Sequence, residues 1–179
     1  MSITTKTGDT GETRLLSGAT IKKSGLRIEC LGTVDEAVAF LGVARSKGRG
    51  YVEKCLRLIQ AGLSSVLAEL SDDAGILPAE RLVSDAQTAE LEEIIAYCEA
   101  STGPLRTFVV PGETPISADL HVARTVVRRA ERRIAALNDT CGSLRPELLR
   151  YMNRVSDALF ALARLVAEGP KSRVTPFER

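Results

Sequence analysis

Apolar residues recur at alternating intervals of four and three along most of the chain, the spacing that gives a helix one buried face. Val52, Leu56, Ile59, Leu63, Val66 and Leu70 form one such stripe. Ile116, Leu120, Ala123, Val127, Ala130, Ile134 and Leu137 form a second, and Leu148, Met152, Val155, Leu159, Leu162 and Val166 a third. A shorter stripe of Leu31, Val34, Val38 and Leu41 predicts a helix near the start, and Leu91, Ile95 and Cys98 predict another in the middle. The pattern is that of an all-α bundle with five helices.

The breaks between stripes carry helix-ending and helix-starting residues. Gly48 and Gly50 separate the first two helices, and residues 71–78, with Asp72, Asp73 and Gly75, follow the second. Ser84 with Gln87 three positions on reads as a capping box. Thr114 before Pro115 supplies an N-cap and a first-turn proline for the fourth helix. Gly142 and Pro146 divide the fourth from the fifth, and Gly169-Pro170 ends the fifth. The short apolar run Phe108, Val109, Val110 has no evident strand partner and reads as an extended lead-in to the fourth helix. The first 25 residues lack apolar periodicity and read as an irregular loop.

A length of 179 residues suits one domain with one core, divided here into a loop segment (1–25), a helical bundle (26–170) and a tail (171–179). The net charge of +1 argues against a general polyanion binder, so no nucleic-acid partner is expected. Cys30, Cys55, Cys98 and Cys141 stand far apart, which fits reduced and mostly buried thiols. His121 is the only histidine, which excludes zinc or iron sites built on several imidazoles. No apolar run approaches the roughly 20 residues that span a bilayer, and the threonine-rich start has no signal-peptide core, so the expectation is a cytoplasmic protein with no membrane partner.

Two segments carry candidate chemistry. Residues 4–13 collect hydroxyls, two glycines, Lys6 and Asp9, which suits a triphosphate: backbone N–H groups reach oxyanions past glycine, and Lys6 adds a point charge. Asp9 is placed to hold magnesium through water. The segment is not a Walker A loop, and a plain polar terminus is the alternative. On the fourth helix, projection at about 100° per residue sets Arg124, Arg128 and Glu131 beside the apolar stripe, with Arg132 further out. Arginines so placed need carboxylates or bound anions, and Asp35, flanking the first helix's stripe, is a candidate partner for Arg128. The alternative is a solvated face laced by Glu131. Asn153, Ser156 and Asp157 make a polar flank on the fifth helix. His121 lies on the flank of Arg124 and reads as a satisfied structural histidine. Phe108 reads either as a surface for a flat ligand or as core.

Three segments in order resemble the signatures of one family: T-K-T-G-D-T-G-E-T at residues 5–13, L-H-V-A-R-T-V-V-R-R-A-E-R at 120–132 and Y-M-N-R-V-S-D at 151–157. G-T-V-D-E at 32–36 and F-V-V-P-G at 108–112 fit as well. The family is the ATP:cob(I)alamin adenosyltransferases of the propanediol-utilisation type, to which the human methylmalonic aciduria enzyme belongs. The resemblance implies a five-helix up-and-down bundle assembled as a homotrimer with intersubunit active sites. It implies transfer of the 5′-deoxyadenosyl group of ATP to the cobalt of cob(I)alamin. By position, Thr5, Lys6, Thr7, Gly8, Asp9, Gly11, Thr13 and Lys23 surround the phosphates, and Arg128, Glu131, Arg132 and Asn153 hold the nucleotide from the helical side. Asp35 pairs with Arg128 across subunits, and Asp35, Arg128 and Arg132 are the residues closest to catalysis. Asp35, Phe108, Arg124, Ser156 and Phe177 are the cobalamin-side candidates. Magnesium rides on the ATP phosphates with no direct protein ligand. A cob(II)alamin reductase and an adenosylcobalamin-dependent mutase or dehydratase are implied partners. A non-catalytic nucleotide- or cobalamin-binding delivery protein on the same bundle is the alternative. Glu113, Val38 and a tail without tryptophan depart from the family pattern.

Overall fold

The computed structural model describes residues 8–169. Among them are five helices, α1 (Leu26–Lys47), α2 (Gly50–Ser71), α3 (Asp85–Thr102), α4 (Pro115–Cys141) and α5 (Pro146–Glu168). The all-α expectation holds, and the helix-boundary signals act where the sequence puts them. Ser84 Oγ accepts from the Gln87 N–H at 3.2 Å, while Gln87 Oε1 accepts from the Ser84 N–H at 2.9 Å, a reciprocal cap on α3. Thr114 Oγ1 accepts from the Ser117 N–H at 3.2 Å to cap α4. Gly142 closes α4 in the left-handed region at φ 61°.

Polar contacts fix the helix directions. Arg27 Nη1 at the start of α1 donates to the Leu70 carbonyl at the end of α2, at 2.8 Å. Lys47 Nζ at the end of α1 meets Asp119 Oδ2 near the start of α4, at 2.5 Å. Both α2 and α4 therefore run antiparallel to α1. Along α3 and α5, Asp85 pairs with Arg150 at one end and Gly103 with Arg164 at the other, so these two are parallel. Direction alternates along the sequence, as in an up-and-down bundle, but the packing order is α2, α1, α4, α5, α3. The long connections 72–84 and 103–114 carry α3 across to α5.

The stripes of α2, α4 and α5 form the core. The face of α1 is different from the expected one: Cys30, Val34, Ala37, Leu41 and Ala44 are buried, whereas Leu31 and Val38 are only half-buried. On α3, Ile94 is buried and Ile95 is half-buried. Tyr151 on α5 is fully buried and presses on Gly62 of α2, where a Cβ would lie 1.8 Å from the Tyr151 hydroxyl.

The N-terminal segment corrects a second expectation, because it is not irregular throughout. Strands β1 (Glu12–Arg14) and β2 (Thr20–Lys22) pair antiparallel with Thr13 opposite Ile21. The hairpin is fastened to the end of α2 by the Leu16 N–H on the Ser71 carbonyl at 3.1 Å and by Ser17 Oγ on Asp73 Oδ2 at 2.8 Å. Phe108 to Val110 form no strand, as expected. No described helix is long and apolar enough to cross a membrane.

Candidate active site

Burial of the Leu120, Ala123, Val127 and Ala130 face of α4 sends its arginines to two different sides. Arg129 pairs with Glu36 and Arg133 with Glu29, both on α1. Arg133 also donates to Thr33. Arg124, Arg128 and Glu131 turn instead toward α5. The Asp35–Arg128 pair expected from helix projection therefore does not form within a chain. Each residue is one position, or about 100°, away from the pair that does form, Glu36–Arg129. Asp35 and Arg128 are both exposed, and neither has an ion-pair partner among the described residues.

Helices α3, α4 and α5, with residues 103–105, border an open cleft of about 950 Å³. Arg124, Arg128, Ser156 and Phe160 line it together with Leu105 and Glu99. The Arg124 guanidinium lies 5.9 Å from the centre of the Phe160 ring. Arg124 Nε is buried without a hydrogen-bond partner. Burial, and then the nearby Arg128, push the Arg124 pKa down. Two cations side by side with no bonded carboxylate are poised to take an anion. Ser156 is buried in the cleft wall, and Arg154 ties Glu92 at 3.0 Å to Asp157 at 3.1 Å along its edge.

His121 is buried against Phe160, ring centres 6.0 Å apart and edge to face. His121 is buried as a structural residue is, but the expectation that it is satisfied is corrected: both ring nitrogens lack a partner. Burial, and then Arg124, hold its pKa below the ordinary value, so the ring is neutral near pH 7.

Further along the α4–α5 seam, Asn153 Nδ2 donates to Glu131 Oε1 at 3.0 Å. Arg132 is exposed, and its Nη1 donates back along α4 to the Arg128 carbonyl at 3.1 Å. At the hairpin, Lys23 Nζ donates to the Gly8 carbonyl at 2.8 Å, and the Lys23 N–H to the Gly11 carbonyl at 2.8 Å. Asp9 is exposed and Thr13 sits on β1. Thr5, Lys6, Thr7 and Phe177 lie outside the described residues. Phe108 is fully exposed, so within one chain it covers nothing. Among the described residues no three histidine, cysteine or acidic side chains cluster as metal ligands.

The structure thus gathers Arg124, Arg128 and Ser156 at the cleft and Glu131 and Asn153 on the adjoining seam, and leaves Arg132 exposed on α4. It leaves the hairpin at the end where α1 starts and α2 finishes, while the cleft opens where α3 and α5 finish. Phe160 and Arg164 at the cleft were not singled out by the sequence. Phe160 was legible as the aromatic four positions after Ser156, one turn along the same helix face.

Fold and cleft define a helical bundle that offers unneutralised arginines and an aromatic face to an anionic, partly apolar ligand. The sequence profile of the cobalamin adenosyltransferase family matches residues 3–166. The corrinoid adenosyltransferase of Citrobacter freundii is 42% identical across 94% of this chain and 96% of its own. That of Bacillus subtilis is 38% identical across 93% of this chain and 86% of its own. The corrinoid adenosyltransferase PduO of Salmonella typhimurium is 40% identical, and this chain spans 49% of it. A solved phenylalanine-to-histidine variant of the PduO-type ATP:corrinoid adenosyltransferase from Lactobacillus reuteri, complexed with cobalamin and ATP, superposes with a TM-score of 0.85 at 30% identity, covering 93% of this chain and 91% of that one. The chain belongs to the cobalamin adenosyltransferase family.

Proposed function

We propose that this chain transfers the 5′-deoxyadenosyl group of ATP to the cobalt of cob(I)alamin, giving adenosylcobalamin and triphosphate. The observation that carries the reading is the α4 face, where Arg124 and Arg128 stand unneutralised at a cleft in a chain of this family. The cobalt lone pair attacks C5′ of ATP, the C5′–O bond breaks, and its electron pair leaves on the triphosphate oxygen. No protein nucleophile is needed. The protein aligns the three atoms and neutralises the charge growing on triphosphate.

The site is shared between subunits of a homotrimer. Separation of hairpin and cleft to different ends of the bundle supports this, as does the exposure of both Asp35 and Arg128. Thr5, Lys6, Thr7, Gly8, Asp9, Gly11, Thr13 and Lys23 of one subunit hold the phosphates with magnesium near Asp9. Arg128, Glu131, Arg132 and Asn153 of the next hold the nucleoside side. Asp35 closes on Arg128 across the contact. Cobalamin takes the cleft beside Arg124 and Ser156, with Phe108 and Phe177 screening its lower face. A cob(II)alamin reductase supplies the substrate, and a mutase or dehydratase that uses adenosylcobalamin receives the product.

Anaerobic absorbance of the corrin, followed with reductant, ATP and magnesium, tests the reading. Conversion of cob(I)alamin to adenosylcobalamin in repeated turnovers is the expected result. Tight retention of added adenosylcobalamin without any turnover identifies a delivery protein instead.

A further inference from the structure

Arg164 is the only buried arginine among the described residues, at 6% exposure. Its Nε donates to Glu168 Oε1 one turn along α5 at 3.1 Å, and its Nη2 donates to the Gly103 carbonyl at 3.2 Å. Gly103 is the C-cap of α3. Its N–H closes onto the Glu99 carbonyl at 2.8 Å, and a φ of 77°, which favours glycine, turns the chain out of the helix. A cation here also meets the negative end of the α3 dipole.

From this anchor, the chain runs between two clefts. One is the cleft of about 950 Å³ already described, and the other, of about 570 Å³, is lined by Thr107, Val109 and Glu168. Arg164, Gly103, Pro104 and Leu105 line both. Five residues beyond Gly103, at most about 17 Å of extended chain, comes Phe108. Leu105, Phe108 and Val110 are 54%, 101% and 73% exposed, so within one chain this segment presents three large apolar side chains at its surface. A buried ion is seldom the most stabilising filler for such a space, because an apolar side chain of similar volume avoids its desolvation. What the guanidinium adds is a fixed hydrogen bond to the first carbonyl of the segment.

We infer that Arg164 is a positioning residue: by pinning Gly103 it sets where the 103–110 segment lies at the mouth of the cleft, and so sets the affinity for the corrin substrate. It touches no reacting atom. The inference rests on the proposed adenosyl transfer for its substrate and on the Arg164–Gly103 bond for its geometry.

Two readouts on Arg164→Met test it. Steady-state kinetics with each substrate varied in turn are expected to show the KM for cobalamin rising about tenfold, with the KM for ATP moving less than about twofold. Trypsin cleavage of the folded protein at the exposed Arg106–Thr107 bond, read by fragment mass, is expected to quicken at least about fivefold. Equal rises in both KM values, or an unchanged cleavage rate, overturn the inference. If the wild type itself makes no adenosylcobalamin, the functional reading fails while the cleavage comparison still judges Arg164. If Arg164→Met does not fold, Arg164→Lys carries the test. It keeps the charge and loses the fork, so values between wild type and tenfold support the inference, and wild-type values in both readouts refute it.

Discussion

The hydroxyl of Tyr151 occupies the space that any side chain at position 62 needs, with a Cβ on Gly62 falling 1.8 Å from Oη and 2.5 Å from Cζ. Glycine in the middle of α2 is a poor helix former, so its presence there reflects this close approach and not local propensity. Gly62→Ala is expected to lower stability by about 3 kcal/mol, the upper end of overpacking costs, in urea denaturation. Replacing Tyr151 by leucine in the same chain should recover most of it. A single variant as stable as the wild type shows that α2 and α5 part easily.

Arg128→Lys keeps the charge and loses the planar fork. Because Arg128 is exposed within the chain, its melting temperature is expected to stay near that of the wild type while kcat falls at least about tenfold. Asp35→Asn should show the same split. Full activity in both variants places the pair outside the site.

The Asn153–Glu131 bond orients a carboxylate on the α4–α5 seam. Loss of one charge-assisted hydrogen bond is worth about 1.5–3 kcal/mol, so Asn153→Ala is expected to weaken ATP binding by about tenfold or more in calorimetry. Wild-type ATP affinity in that variant shows that the bond serves only to join the helices.

His121 supplies a pH signature. Its folded pKa lies below its ordinary value of 6.5, so between the two the unfolded chain binds the extra proton. Its contribution is fully present above 6.5 and is lost as pH falls through that window. Urea midpoints at about pH 7.5 and about pH 5.5 should fall more steeply for the wild type than for His121→Leu. Parallel slopes would show that His121 is readily protonated in the fold.

Most of the fold was legible because α2, α4 and α5 bury long aliphatic side chains at regular intervals. Helix α1 was misaligned for a physical reason: its inward face is built from Cys30, Ala37 and Ala44 as much as from Val34 and Leu41, and small residues weaken the periodic signal. The hairpin was not legible because strands of three residues, such as Glu12–Arg14, are too short to show an alternation. At the candidate site the polar flank of α4 was legible, but Arg128 was the arginine matched to α1, and within a chain Arg129 makes that contact. One residue of phase separates Arg128 from Arg129, and only packing fixes it. Arg164 carries no signal in the sequence because its partner, the Gly103 carbonyl, is a backbone group 61 residues away.

The hairpin and the cleft face different ends of the same chain, and this has a consequence for stoichiometry. A contact that joins the hairpin of one copy to the cleft of the next is head-to-tail, with different surfaces on its two sides, and it leaves one spare half-site at each end until a ring closes. A closed ring has as many whole sites as subunits. In the proposed trimer, loss of one subunit breaks two contacts and leaves a dimer with one whole site, so dilution should remove activity in steps and ahead of any loss of helix.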